Sequence, residues 1–218
     1  MEYSAPNESD LANVKALNAA FLNDLCEGSA AIELRDEQGP ALREVFMALN
    51  AVQRTRLGSA PFLLFSLREH EAQFWDDCLA TGQEQRTRDM FSVNRLPDDE
   101  NPRLPAAALA FLWQLAGRNP YAARLVSGAS VDWCERLADC TLVSLLSRVS
   151  TRREFLQLRF AGNRPVLNKL LGAGVSSQAE VRHAAHMAAM QAMLLQVASP
   201  MRTAFRAAAC KLPPAKRR

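Results

Sequence analysis

The sequence is poor in the residues and motifs from which catalytic and metal sites are built. It has 3 histidines and 5 cysteines in 218 residues, and no two cysteines form a CxxC pair. An odd cysteine count without such a pair argues against a disulfide framework and a zinc ribbon, so we expect reduced, partly buried thiols. Neither GxGxxG nor GxxxxGK[ST] occurs, so the common dinucleotide and phosphate loops are absent from the sequence.

The histidines do not complete a recognisable metal or catalytic motif. His183 and His186 lie three residues apart in a helical pattern, a spacing that binds metal only when a third ligand converges. Glu180 is the nearest acidic residue, and Arg182 lies between the histidines. We therefore predict surface or partner contacts for this pair. The sequence predicts no enzyme: no catalytic residues, no cofactor and no metal.

No apolar run approaches the roughly 18 residues that a membrane-spanning helix needs. The first residues, Met1-Glu2-Tyr3-Ser4-Ala5-Pro6, lack the basic and then apolar pattern of a secretion signal. We therefore expect a cytoplasmic protein without a membrane partner.

Charge is distributed unevenly although the net charge is only +3. Residues 1–109 carry 10 Lys and Arg against 18 Asp and Glu, and residues 110–218 carry 16 against 5. A basic half indicates either an acidic partner such as DNA or attraction to the acidic half, within one chain or across a dimer. Both interpretations stay open.

Two stretches of the chain repeat about ninety residues later. Phe21-Leu22 is matched by Phe111-Leu112 at an offset of 90, and Leu67-Arg68 is matched by Leu158-Arg159 at an offset of 91. Constant spacing between two such anchors is the mark of an internal repeat. We predict a mainly α fold of two tandem related helical units, each closed by a short extended segment, plus a C-terminal helix. The predicted divisions are a first unit (1–80), an acidic proline-containing linker (81–105), a second unit (106–175), the C-terminal helix (176–210) and a basic tail (211–218).

Local sequence patterns predict the positions of most helices and extended segments. Steps of three and four between apolar residues predict a helix from Leu11 to Leu25, capped by Ser9 or Asp10, and one helix from Leu42 to Val52. Asn119-Pro120 is expected to break or restart a helix. Ser130 and Thr141 are expected to cap two short helices of helix-turn-helix size. The apolar runs 62–67 and 155–160 predict two short extended segments, the first as a strand buried on both faces, and Met187, Met190, Leu194 and Val197 form a stripe typical of a core or dimer face.

The strongest candidate for binding chemistry is a cluster of arginines around the second extended segment. Five arginines fall within seventeen residues, and such a patch could neutralise phosphates. Alternatively, these arginines pair with the acidic first half. The predicted DNA- or partner-binding residues are Arg148, Arg152, Arg153, Arg159 and Arg164.

The second unit contains a recognisable series of short motifs. They are Arg124-Leu125 with Gly128, Leu137-Ala138, Thr141-Leu142 and Leu158-Arg159-Phe160. This series resembles the FlhD family of flagellar transcriptional regulators, which has an Arg-Leu-Gly turn, an amphipathic helix ending in Leu-Ala, a helix beginning Thr-Leu, and an apolar segment closing on aromatic-Arg-Phe. The first helix, at 17–22, is similar to the family's Asn-Leu-x-aromatic-Leu.

The chain departs from the FlhD pattern in its length, which is about double, in its two copies, and at Val126-Ser127, which interrupts Arg-Leu-Gly. The resemblance implies a mainly helical transcription regulator associated with DNA. Members dimerise and act with a second subunit, FlhC, so two fused copies would imitate that dimer. The predicted partners are therefore DNA, a protein partner or a second copy of the chain. The alternative function is a helical adaptor or scaffold that binds only proteins.

Overall fold

A computed structural model describes residues 5–27, 32–33, 39–79, 103–149 and 155–196. In these ranges the chain is mainly helical, which confirms the predicted fold class. Most of the predicted linker, all of the basic tail, and Val197 lie outside the described residues. The elements are α1 (Glu8–Glu27), β1 (Ile32–Glu33), α2 (Gly39–Met47), α3 (Ala51–Gly58), β2 (Phe65–Ser66), α4 (Ala72–Leu79), α5 (Arg103–Arg118), α6 (Pro120–Ser127), α7 (Val131–Asp139), α8 (Leu142–Val149), β3 (Leu156–Leu158), α9 (Arg164–Gly172), a 3₁₀ turn (Ala173–Val175) and α10 (Ala179–Gln196).

The first helix agrees with its apolar pattern but not with its predicted cap. Helix α1 buries Val14, Phe21 and Leu25, as steps of three and four require. Its first turn is closed by Asn7 and Asp10, whose side chains each accept a hydrogen bond from the other's backbone N–H. Neither Ser9 nor Asp10 is therefore the N-cap, because Asp10 already lies inside the helix as the third residue after Asn7.

The predicted single helix from Leu42 to Val52 is wrong, because two helices occupy this stretch. Asn50 caps α3 by accepting from the backbone N–H of Gln53, while the Gln53 side chain accepts from the backbone of Asn50. This capping box starts a new helix. Consequently Val52, expected on the apolar face, is 56% exposed.

The capping signals in the second half predict the helix bounds correctly. Asn119 ends α5 and caps α6, and its side chain accepts from the backbone N–H groups of Tyr121 and Ala122. Ser130 accepts from the backbone of Trp133 at the start of α7. Thr141 accepts from Ser144 at the start of α8. These predictions hold because a cap is decided by residues within one turn.

The extended segments pair in one three-stranded sheet with the order β1-β3-β2. Strand β3 lies parallel to β1 and antiparallel to β2. The strand expected over 62–67 covers only Phe65–Ser66. Just before it, Leu63 donates its N–H to the carbonyl of Val126, and Leu64 donates to Asn18 Oδ1. The end of helix α6 and the Asn18 side chain thus accept the hydrogen bonds that a neighbouring strand would otherwise accept.

One continuous core joins the two halves of the chain. Helix α1 packs against α3 and α5, and α5 also packs against α6, α7 and α8. An aromatic cluster crosses between the halves: the rings of Trp75 and Trp133 lie 5.1 Å apart and those of Phe74 and Phe155 lie 5.7 Å apart. Edge-to-face and tilted contacts of this kind add to the free energy gained from burial.

Several elements recur at the spacing seen in the sequence. Helix α8 begins and ends 91 residues after α3, and α7 begins and ends 92 residues after α2. Ser66 pairs in the sheet with Gln157, the residue 91 positions later. Arg68 and Phe160, 92 residues apart, are the non-glycine residues with a positive φ in the described part of the chain.

Candidate functional site

Arg159, predicted to bind DNA or a partner, is a buried structural residue. Its side chain is 6% exposed and forms an ion pair with Glu69, whose side chain is 1% exposed, at 2.8 Å from Arg159 Nη2 to Glu69 Oε1. Arg159 also donates from Nε to the carbonyl of Leu63 at 2.8 Å and from Nη2 to the carbonyl of Phe65 at 2.7 Å. The guanidinium is buried and bound within the protein, so Arg159 pairs with the acidic first half, as the alternative interpretation of the arginine cluster has it.

Glu69 completes this cluster from the other side. Its Oε2 accepts the backbone N–H of Leu67 at 2.7 Å, where the chain leaves β2. The carboxylate thus fixes the turn after β2 while its other oxygen binds the arginine that follows β3. Burying two charges is tolerated because each is paired and hydrogen-bonded. Sequence analysis missed Glu69, because its partner lies 90 residues away and no local pattern links the two.

Two further arginines of the basic half bind acids of the acidic half. Arg118, at the end of α5, pairs with Asp10 in the first turn of α1. Arg136 on α7 pairs with Asp76 on α4 at 2.7 Å, with both side chains about half exposed. Together with Arg159–Glu69, these pairs support attraction between the halves, one of the two interpretations of the uneven charge.

The α7–α8 pair presents a surface helix. The turn between the two helices is held by Trp113, whose Nε1 donates to the carbonyl of Cys140 at 2.8 Å. On α8, Leu145 is 2% exposed and anchors the helix, whereas Val143 is 54% exposed. Arg148 belongs to α8, but its side chain lies outside the described residues.

The remaining predicted arginines are divided between described and undescribed parts of the chain. Arg152 and Arg153 lie outside the described residues, in the segment that connects α8 to β3. Arg164 is the first residue of α9, its side chain is half-buried, and it takes part in interactions within the protein. Of the five predicted binding residues, the described structure therefore fixes the surroundings of Arg159 and gives the position of Arg164.

A second candidate surface is an apolar groove along α10. The groove has a volume of about 670 Å³, and most of its lining is apolar. It is lined by Arg124 of α6 and by Ala184, Met187, Ala188, Met190, Gln191, Leu194 and Leu195 of α10. Met187 is 39% exposed and Leu195 is 62% exposed. The face that α10 buries carries Ala185, His186, Ala189 and Met193 instead.

Two glycines explain which face of α10 is buried. Gly128 ends α6 in the left-handed region, with φ 71°, and a Cβ there would lie 2.5 Å from Met193 Cγ. Gly174 lies against His186, with a Cβ position 3.4 Å from Nε2. Because both positions lack a side chain, α10 comes close through residues next to the predicted stripe, and Met187 is left at the surface.

No significant match is found among models of protein families, curated proteins or solved structures. The FlhD resemblance therefore depends on the residues quoted for it.

Three further observations concern metal binding, the histidine pair and membrane-spanning helices. In ranges 5–27, 32–33, 39–79, 103–149 and 155–196, no cluster of three His, Cys, Asp or Glu side chains is arranged to hold a metal ion. His183 is exposed whereas His186 is buried, so the pair does not share one surface. Among the helices described, none is long and apolar enough to cross a membrane.

The buried titratable groups beside these surfaces have perturbed acidities. Burial, reinforced by Glu69, raises the pKa of the Cys134 thiol to about 12, so this thiol stays protonated and unreactive. Burial, reinforced by Arg182 and His183, lowers the pKa of His186 below its ordinary value, although the backbone of Gly174 acts in the opposite sense. Cys26, Cys134 and Cys140 are free thiols, as predicted.

Proposed function

We propose that this chain is a non-enzymatic, FlhD-like regulator of transcription that acts through DNA, a regulatory protein partner, or both. One observation carries the proposal. Three arginines of the basic half bind acids of the acidic half, while helix α8 lies at the surface and is followed in the sequence by Arg152 and Arg153. Arg148, Arg152 and Arg153 thus form a short basic cluster in the sequence at the end of α8, and arginine is well suited to bind phosphates.

The positions of the resembling residues support the proposal. Gly128 ends α6, Thr141 caps α8, and Leu137-Ala138 lies in the last turns of α7. Leu158-Arg159-Phe160 closes β3 and contributes the buried ion pair. Each part of the quoted pattern thus lies at the start or end of a helix or in a buried contact with the core. These positions give the pattern a structural explanation.

The recurrence of the elements supports a duplicated unit that imitates a dimer. In an antiparallel pair of equivalent strands related by a two-fold axis, one residue pairs with its own equivalent at the axis. Ser66 and Gln157, 91 residues apart, form such a pair. The same spacing relates α3 to α8, so two equivalent surfaces are expected on opposite sides of the axis.

Fluorescence anisotropy of a labelled random DNA duplex at two salt concentrations tests the proposal. We expect binding that weakens steeply with salt, because bound phosphates release counterions. Replacing both Arg152 and Arg153 by alanine removes two phosphate contacts, which lowers the slope of log K against log salt by about 2. The matched control replaces Lys15 on α1 and Lys169 on α9 by alanine, two exposed lysines outside this segment.

The adaptor remains the second candidate, and the apolar groove of α10 favours it. An exposed apolar surface of this kind marks binding to protein rather than to phosphate. No DNA binding even at low salt would remove the direct DNA contact, and equal losses in the arginine and lysine variants would remove its assignment to Arg152 and Arg153. Pull-down with the intact chain would then identify the protein partner.

A further inference from the structure

Helix α10 is apolar on the side that faces away from the core as well as on the side that faces it. No Asp, Glu, Lys or Arg occurs between Arg182 and the end of the helix at Gln196. Met193 is buried against the core, whereas Met187 is 39% exposed and Leu195 is 62% exposed. A helix that is apolar all round is ordinarily buried on every side, so the outward face of α10 has the character of a contact surface.

Two opposite charges lie toward the two ends of this face. Glu180 is exposed in the first turn of α10. Arg124 lines the groove from α6, one turn before Gly128, and Gly128 packs against Met193 in the last part of α10. Within the described part of the chain, neither the Glu180 nor the Arg124 side chain forms an ion pair or a hydrogen bond. Glu180 and Met193 are thirteen residues, or about 20 Å, apart along the helix, so these two charges of one chain do not meet.

We propose that this face binds the same face of a second copy of the chain, with the two α10 helices antiparallel about a two-fold axis beside Ala188. A two-fold contact joins one surface patch to itself, so it brings the first turn of one α10 to the last part of the other. Glu180 of the second copy then lies beside Arg124, and the symmetry forms this ion pair twice. The charges that one chain leaves without partners thus complement each other in a pair of chains.

The sizes of the side chains along the face agree with this register. Ala188 of the second copy lies opposite Met187, and Ala184 of the second copy lies opposite Gln191. A small side chain meets a long one at both places, which lets two helices pack closely. Charge and size together therefore favour a second copy of this chain over an unrelated helix.

Sedimentation equilibrium of the full chain without DNA tests the proposal, and its outcome does not depend on whether the chain binds DNA. A contact along one pair of helices is at the small end of protein interfaces, so we expect the average mass to rise from one chain toward two between about 1 and about 100 µM. A mass of one chain throughout this range overturns the proposal. A mass that grows beyond two chains also overturns it, because a two-fold contact closes on itself.

Charge reversal tests the contact between Arg124 and Glu180. Arg124→Glu and Glu180→Arg each turn both ion pairs into like-charge contacts, so each should raise the dissociation constant by about tenfold or more. The double variant restores opposite charges and should return the dissociation constant to within about threefold of its unmodified value. A double variant that keeps the far-UV circular dichroism of the unmodified chain but dimerises no better than the single variants contradicts the contact.

Leu195→Asp tests the apolar part of the face. Because Leu195 is 62% exposed, the substitution leaves the core intact, whereas a carboxylate in the contact has to lose its water. This variant should have the mass of one chain throughout the same concentration range. The matched control is Met47→Asp on α2, which is 59% exposed in the single chain and should dimerise as the unmodified chain does. Equal dimerisation of the two variants counts against the α10 face.

Disulfide trapping with oxidised glutathione tests the direction of the helices. In the antiparallel arrangement the two copies of Ala188 lie beside the axis, so Ala188→Cys should give a disulfide-linked dimer on a non-reducing gel. The two copies of Val181 lie about 20 Å apart along the helices, so Val181→Cys should link no more than the unmodified chain, whose own cysteines set the background. Equal linking at the two positions indicates parallel helices and overturns the two-fold arrangement.

Discussion

Replacing Arg159 by alanine should destabilise the protein strongly without a direct effect on DNA binding. The substitution leaves the Glu69 carboxylate, 1% exposed, without its cation, and it leaves the carbonyls of Leu63 and Phe65 without their donor. Removing one partner of a buried ion pair costs about 3–5 kcal/mol. That loss is a large fraction of the roughly 5–15 kcal/mol by which folded proteins are stable.

Urea unfolding, followed by tryptophan fluorescence, measures this loss, because two of the three tryptophans, Trp75 and Trp133, lie in the shared aromatic cluster. For a chain of this size, the midpoint of thermal unfolding should fall by about 6–20 °C. Arg136→Ala is the matched control, because the Arg136–Asp76 pair is about half exposed on both sides. Such a pair contributes about 0–1 kcal/mol, so the control should unfold close to the unmodified protein.

A double-mutant cycle separates the ion pair from general damage. Combining Arg159→Met with Glu69→Gln removes both charges, so the double variant should lose less free energy of unfolding than the two single variants added together. The reasoning fails if Arg159→Ala costs under about 1 kcal/mol while the fold is retained. It fails equally if the folded variant loses DNA affinity as Arg152→Ala/Arg153→Ala is expected to do, because Arg159 would then face the ligand.

Two further predictions concern the packing of α10. Gly128→Ala should cost about 2–4 kcal/mol in urea unfolding, because alanine is strained at φ 71° and its Cβ would lie 2.5 Å from Met193 Cγ; Gly117→Ala, in open space on α5, should be neutral or slightly stabilising. The second prediction is a loss of stability as pH falls. Burial lowers the pKa of His186 in the folded protein below its ordinary value of 6.5, so between these two pKa values the unfolded chain binds more protons than the folded chain. The stability contributed by the neutral His186 is therefore complete above pH 6.5 and is lost as pH falls through the lowered pKa. Thermal unfolding at pH 7.5, 6.5 and 5.5 should therefore show a smaller decline in His186→Gln than in the unmodified chain, and equal declines would contradict the assignment.

The sequence predicted the arginine-rich binding surface only in part. The arginine cluster was visible as a count of charges, yet a count does not distinguish an arginine that faces water from one that ties two halves together. Arg159 differs from Arg164 through Glu69, which approaches from the other half of the chain. Arg118 and Arg136 were not singled out, because their acidic partners are distant in sequence.

Amino-acid sequence by itself determined the helical class and the bounds set by local caps. Asn119, Ser130 and Thr141 act on backbone N–H groups within one turn, so their effect is readable without the rest of the molecule. Asn50 with Gln53 is a signal of the same kind, and attention to it would have divided the helix that was predicted as one.

Tertiary structure alone decided the length of β2, the buried face of α10 and the role of Arg159. Asn18 shortens the strand because its side chain accepts the N–H of Leu64, 46 residues away, and donates to the carbonyl of Phe62. Gly128 and Gly174 select the face of α10 because they allow close approach at Met193 and His186. In each case the deciding contact joins residues that are neighbours only after the chain has folded, and no periodicity along the sequence encodes it.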